Sequence, residues 1–253
     1  MYASVFFYYD KVCRTIDPYK LVFKNPEIWN AYGYTLFRAI VGTILQLIVT
    51  CFYGYALSRP GLIWKKFFST YIMITMLFSG GMVPSYILIT QYLHLQDTIW
   101  VYILPGMISP WYVFMMRTFF KGIPGEISES AYIDGANEYT IFFKIIIPLS
   151  KPVIATVALM MFLQKWNTWM ESMLYMEKEN LMLLQYQLQR IMNNIKLLQD
   201  SQVDTSQLIS AKDIPGETAR MAMAVVAAGP ALCIFPFFQK YFVKGVMLGS
   251  IKG

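Results

Sequence analysis

Residues Ala39–Leu57, AIVGTILQLIVTCFYGYAL, carry no charged side chain, and Arg38 and Arg59 stand at their two ends. A hydrocarbon core about 30 Å thick is crossed by roughly 20 apolar residues in a helix, so this stretch is long enough to span a membrane. The same pattern recurs outward along the chain. Phe67–Leu93, Ile99–Met116 and Met221–Phe238 are uncharged blocks, bounded by Lys65 and Lys66, by Asp97 and Arg117, and by Arg220 and Lys240. Ile145–Leu163 is a fifth, weaker block, with Ser150 and Lys151 inside it and a clean apolar part only from Val153. Lys151 and Lys165 at its ends are expected to snorkel to the membrane surfaces. The expected fold is an all-α integral membrane protein, a polytopic helical bundle with about five spans in one membrane domain.

Composition supports this reading. Of 253 residues, 57% are hydrophobic and 14% charged, and mean hydropathy is +0.45. A soluble domain carries about 25% charged residues. The net charge of +6 does not point to nucleic acid. Such binding needs a solvated basic patch, whereas these cations punctuate apolar blocks as membrane-flanking charges do. Cys13, Cys51 and Cys233 form no CxxC pair, and His94 is the sole histidine. Neither a disulfide framework nor a zinc site is expected, and no cofactor. Met1–Asp10 lacks the basic start and long apolar core of a secretory leader.

Several blocks contain helix breakers: Gly80, Gly81 and Pro84; Pro105, Gly106 and Pro110; Gly229, Pro230 and Pro236. They read equally as kinked packing or as the shaping of a pathway, since freed backbone groups in lipid need a protein partner or a wet cavity. Lysine and arginine alternate between successive connections. By the positive-inside rule this places the Arg59 loop, the Arg117–Lys151 segment and the C-terminus in the cytoplasm. Residues 1–34 then form an extracytoplasmic or interfacial segment, with a first span expected to be missing. Residues 35–245 form the membrane domain, with a cytoplasmic loop at 118–147 and an outer segment at 171–217, and residues 246–253 a cytoplasmic tail. In the outer segment Leu184, Leu188, Ile191, Ile195 and Leu198 recur at helical spacing. They suit a helix resting on the bundle, or a docking face for an external partner.

The most informative polar stretch is cytoplasmic: Pro124-Gly-Glu-Ile-Ser-Glu-Ser-Ala-Tyr-Ile-Asp-Gly-Ala-Asn-Glu-Tyr-Thr-Ile-Phe-Phe-Lys-Ile-Ile-Ile-Pro148. Pro124 suits a first helical turn. Glu126 and Glu129 suit the positive end of the helix dipole. Ser128, Ala131 and Gly135 make a small-residue stripe that would let another surface come close, and Gly135 ends or bends the helix. A second helix is expected from about Glu138. Physics alone allows an ordinary amphipathic loop helix here, or a helix laid into a partner's groove.

This stretch resembles the EAA loop of ABC importer permeases: E-A-A, three residues, G, nine residues, then I-x-L-P. The chain has Glu129-Ser130-Ala131, Gly135, and Ile145-Ile146-Ile147-Pro148. Ser130 and Ile147 depart from the pattern. Ile133-Asp134-Gly135-Ala136 and Pro152 look like the carbohydrate-uptake, maltose-type branch. Trp166-Asn167 resembles that branch's Trp-Asn element, and Phe78–Pro84 the second-span signature of its complex-oligosaccharide members.

The resemblance implies a type I importer permease fold, usually of six spans. It implies a second permease subunit, cytoplasmic ABC ATPase subunits and an extracellular solute-binding protein as partners, in a bacterial cell membrane. It makes Glu129, Ala131, Asp134, Gly135, Ala136 and Pro148 the expected ATPase-coupling residues. No GxxxxGK[ST] phosphate loop is present, so ATP hydrolysis is expected on another chain and not here. Trp166, Asn167, Trp169 and Glu171 combine aromatic faces with polar groups, the mix a sugar pathway uses. Tryptophans are also ordinary interfacial-belt residues, and residue type alone favours that reading. The rival readings are an ion-coupled secondary transporter, disfavoured because no carboxylate lies inside a clean span, and a truncated, non-functional copy.

Overall fold

The computed structural model describes residues 26–200, 224–230, 232 and 234–236; the described residues form helices and no strand. Helix α1 spans Pro26–Ser58 and opens on a proline and Glu27. A missing N–H costs nothing in a first turn, and an acidic group there complements the helix dipole. At 1.5 Å per residue it is about 50 Å long. Residues 26–34, expected as part of an interfacial segment, are its opening turns.

The faces of α1 are sorted in the opposite sense to those of a soluble helix. Thr35, Arg38, Gly42, Thr43, Gln46, Thr50 and Gly54 are on the buried stripe, while Phe37, Ile40, Ile44, Ile48 and Phe52 are exposed. Lipid tails are as apolar as leucine, so apolar bulk gives no reason to turn inward. Close packing of small residues and hydrogen bonds hold membrane helices together instead. Gly54 marks the closest approach. A Cβ there would lie 2.9 Å from Met116 Cβ and 3.2 Å from the backbone nitrogen of Arg117.

Helix α2 (Lys65–Leu77) stops at the glycine pair, where Gly81 takes φ +88°. The chain resumes as α3 (Met82–Ile87) and a π-turn through Tyr92, bent by 113° from α2. Ile99–Met116, expected as one span, is not a continuous helix. It makes a 3-10 turn over Ile99–Tyr102 and re-enters helix only as α4 (Pro110–Lys121). Pro105 and Pro110 each remove a donor and push the preceding residue out of helical geometry.

Helix α5 (Gly125–Ile133) and α6 (Glu138–Ile141) make the expected helix-turn-helix. A π-turn (Phe142–Ile146) and the short α7 (Ile147–Leu149) lead to α8 (Lys151–Asn167), bent by 79° where Pro148 and Pro152 flank Ser150. Among the described residues α1 alone is long and apolar enough to cross a membrane as one helix; counting each bent pair as one span raises the number to three. The last block is described only in part, as helix from Ala224.

Beyond α8 come α9 (Met170–Tyr175), a 3-10 turn (Glu179–Leu181) and α10 (Leu184–Asp200). The apolar seam of α10 is already used. Leu184, Leu188 and Ile191 pack with Ile28, Ala31, Phe162 and Trp166. Of the two readings of this run, the helix resting on the bundle is the one observed. Ile195 and Leu198 fall within α10, though their side chains are outside the description.

Candidate functional site

The α5–α6 loop is built on a Schellman turn. Gly135 N–H donates to Tyr132 O (3.0 Å) and Ala136 N–H to Ala131 O (2.9 Å), with Gly135 at φ +80°. These two bonds close the last carbonyls of α5, and the left-handed residue between them favours glycine. Ala131 and Ala136 belong to one apolar cluster with Ile141 and Phe142, the contact that usually accompanies this turn. Asn137 then caps α6 by accepting from Thr140 N–H at 2.8 Å. The glycine, both alanines and the Asn-Glu that follows are thus explained by local geometry.

The small-residue stripe divides: Gly135 is open, but Ser128 and Ala131 do not face outward. Ser128 and Ala131 are buried against the chain's own bundle. Arg59, just past the end of α1, donates to Ser128 Oγ at 3.0 Å and lies 3.4 Å from the Glu138 carboxylate. Tyr55 and Tyr132 also donate to that carboxylate. Donating to Glu138 holds the Tyr132 hydroxyl above its usual pKa. Arg59 therefore clamps α5 and α6 to α1 around a cavity of about 550 Å³, whose rim includes Glu129. What the loop exposes is a different face: Ile127, Tyr132, Tyr139 and, at 87% exposure, Ile133. Asp134 closes α5, Gly135 has nothing within 4 Å of a built Cβ, and Pro148 lies at the α6–α8 bend, two residues past the end of the π-turn.

At the other end of the bundle the expected sugar-pathway residues separate. Trp166 is fully buried; its indole N–H donates to Ala227 O at 2.8 Å, and its ring stacks on Phe162 and meets Tyr32 edge-on. It presents no surface to a sugar here, and neither does it form an interfacial belt. Trp166→Ala is expected to cost about 3–5 kcal/mol, read as a large drop in thermal midpoint of the purified protein. Asn167 is exposed and Trp169 half-buried. Glu171 folds back and pairs with Arg38.

Residues 41–248 match the family model described as "Binding-protein-dependent transport system inner membrane component". The chain belongs to this family. Among its relatives is the "Polygalacturonan/rhamnogalacturonan transport system permease protein YtcP" of Bacillus subtilis (strain 168), 37% identical over 240 residues, covering 94% of this chain and 82% of that protein. The "Arabinooligosaccharides transport system permease protein AraQ" of Halalkalibacterium halodurans is 28% identical over 252 residues, covering 97% and 82%. A crystal structure of a bacterial ABC transporter involved in the import of the acidic polysaccharide alginate superposes with a TM-score of 0.77 at 27% identity, over 89% of this chain and 79% of that one.

This inner membrane component carries two polar clusters that its sequence did not disclose. Arg59 reads in sequence as one more positive-inside loop charge, and Arg38 as a span boundary. In the fold Arg59 is the clamp, and Arg38 is buried with Lys165. Lys165 does not snorkel out of the bundle; it turns inward. Lys151 stays exposed.

Proposed function

We propose that the chain is the membrane-spanning permease subunit of an ATP-driven, binding-protein-dependent importer of sugars or oligosaccharides. In this reading its α5–α6 loop transmits the work of a separate ABC ATPase, and ATP hydrolysis is on that other chain. A second, homologous permease subunit completes the pathway, an extracellular solute-binding protein delivers the sugar, and the α5 end faces the cytoplasm of a bacterial cell.

The observation that carries it is the exposed apex of the loop. Ile133 is almost wholly exposed beside a glycine with open space around it, on a helix clamped by Arg59 to the longest span. An exposed apolar side chain at a rigid tip suits insertion into a partner's groove. The clamp gives any displacement of that tip a route into α1. The spacing Glu129, Gly135, Pro148 fits the EAA pattern. The names of relatives, which transport polygalacturonan or arabinooligosaccharides, supply the substrate class.

The test is proximity. Because Ala131 is turned into the bundle, the probe belongs at Ile133. Ile133→Cys in cysteine-free membranes containing the complete transporter should crosslink to an ATP-hydrolysing subunit, with a yield that changes when nucleotide is added. Absence of any crosslink to such a subunit, in membranes where transport is intact, overturns the coupling role.

A further inference from the structure

Two buried cations, Arg38 and Lys165, meet a half-exposed carboxylate, Glu171, near the far end of α8. Arg38 is 2% exposed and Lys165 6%. Arg38 pairs with Glu171, donates to Lys165 O at 3.3 Å and lies over the Tyr102 ring at 5.2 Å. The Tyr102 hydroxyl is held in turn by Ser172 Oγ at 2.8 Å and Leu181 O at 3.0 Å. Glu171 is hydrogen-bonded to Arg38 and attracts Lys165 from a greater distance. The Lys165 ammonium makes no hydrogen bond or ion pair among the described residues, and Nε of Arg38 is buried without a partner. Two cations share one carboxylate.

A buried charge without a counter-charge costs several kcal/mol, and removing a partner from such a site is correspondingly destabilising. Ionisable groups inside membrane segments are rare for this reason, and they mark substrate and ion pathways. The place of Lys165 fits a pathway. Its stem runs along Gly42 of α1, where a built Cβ would come within 3.1 Å of Lys165 Cδ. Its ammonium lies 3.9 Å from a Cβ built on Gly106. Gly106 is exposed, in the non-helical stretch before α4. The charge thus lies close behind one exposed glycine, where no side chain stands between it and the surface.

We propose that Lys165, backed by Arg38, receives the carboxylate of a uronic acid residue in the transported oligosaccharide. The proposal rests on the importer reading above and narrows its substrate to acidic sugars. A carboxylate supplies the single negative charge that the cluster lacks, and charge-assisted hydrogen bonds to it are stronger than those to a hydroxyl. A neutral sugar would leave the ammonium as it is. Independently, one relative is named for polygalacturonan and the matched crystal structure concerns the acidic polysaccharide alginate.

The experiment uses the complete permease–ATPase assembly in nanodiscs, without binding protein, and labelled trigalacturonate as probe. The fully methyl-esterified trimer is the neutral counterpart. Wild type should bind the acid saturably and the ester at least tenfold more weakly. Lys165→Met should weaken binding of the acid at least tenfold, and Lys165→Arg should restore it to within threefold. Equal binding of acid by wild type and Lys165→Met overturns the proposal, as does equal binding of acid and ester by wild type. Displacement of the acid by acetate as effectively as by unlabelled trimer overturns the sugar assignment, leaving a general anion site. If Lys165→Met fails to assemble, the acid–ester comparison on wild type and on Lys165→Arg decides. Failure of the importer reading appears separately, as an absence of ATP-dependent uptake of any sugar by the assembly with its binding protein.

Discussion

Gly135→Arg will reach the membrane at close to the normal level and lose at least 99% of ATP-dependent uptake. The two halves of that expectation have different causes. Within the chain, position 135 is open, with nothing within 4 Å of a built Cβ, so the new side chain meets no neighbour. The conformational cost is confined to one left-handed residue at φ +80°, about 1–2 kcal/mol. The Schellman bonds of Gly135 and Ala136 are backbone bonds and are retained. A seven-heavy-atom charged side chain at the tip would, however, hold a docking partner away from Ile133. Asn, which tolerates the left-handed region better, should give an intermediate loss. Uptake and membrane abundance measured together decide the matter: normal uptake by the arginine variant would mean that no surface closes on this glycine.

Much of this loop was legible in the sequence, because its cues are local. A proline and acidic residues at the start, a glycine at the stop and a polar cap before the second helix each act within a few positions. The direction of the Ser128–Ala131 stripe was not legible. Period alone says that residues share a face, but not whether that face meets the chain's own bundle or another molecule. Here Arg59, far away in sequence, settles it by donating to Ser128. The charge cluster was hidden for a related reason. Each member lies outside or at the edge of an apolar block, so the blocks looked empty of carboxylates. Glu171 joins Arg38 only because the chain turns back after α8. Ile99–Met116 misled in the opposite way. Its hydropathy is high, but hydropathy cannot distinguish a helix from an apolar stretch broken by Pro105, Gly106 and Pro110. Trp166 was read from its residue type as a sugar platform or a belt residue; tertiary packing around Phe162 and Tyr32 made it core.

Gly54→Leu should be the most damaging substitution in the helical interface, with a cost of about 3 kcal/mol or more. Even a methyl at this position would stand 2.9 Å from Met116 Cβ and 3.2 Å from the Arg117 backbone nitrogen. These are fixed points of α4 that cannot swing aside as the end of a long side chain can. The two helices must separate, and the Val113 and Leu57 contacts beside them open. Gly33→Leu is the matched control. It lies on the same helix with nothing within 4 Å, and leucine favours helix over glycine. The Gly54 variant should give little monodisperse protein after detergent extraction, while the Gly33 variant should match wild type. Equal recovery of both would mean that α1 and α4 do not touch at Gly54.

Helix α1 runs from Pro26 to Ser58 without a break, while the blocks Phe67–Leu93, Ile99–Met116 and Ile145–Leu163 bend or are interrupted. The Arg38 cluster lies about a third of the way along it and the Arg59 clamp just past its end, roughly 30 Å apart by helical rise. An unbroken ladder of backbone bonds resists stretching, which makes α1 the stiffest described link between the two. In the coupling proposed above, a tilt imposed at one end would be carried along α1 toward the other, with the kinked neighbours absorbing the changes of shape.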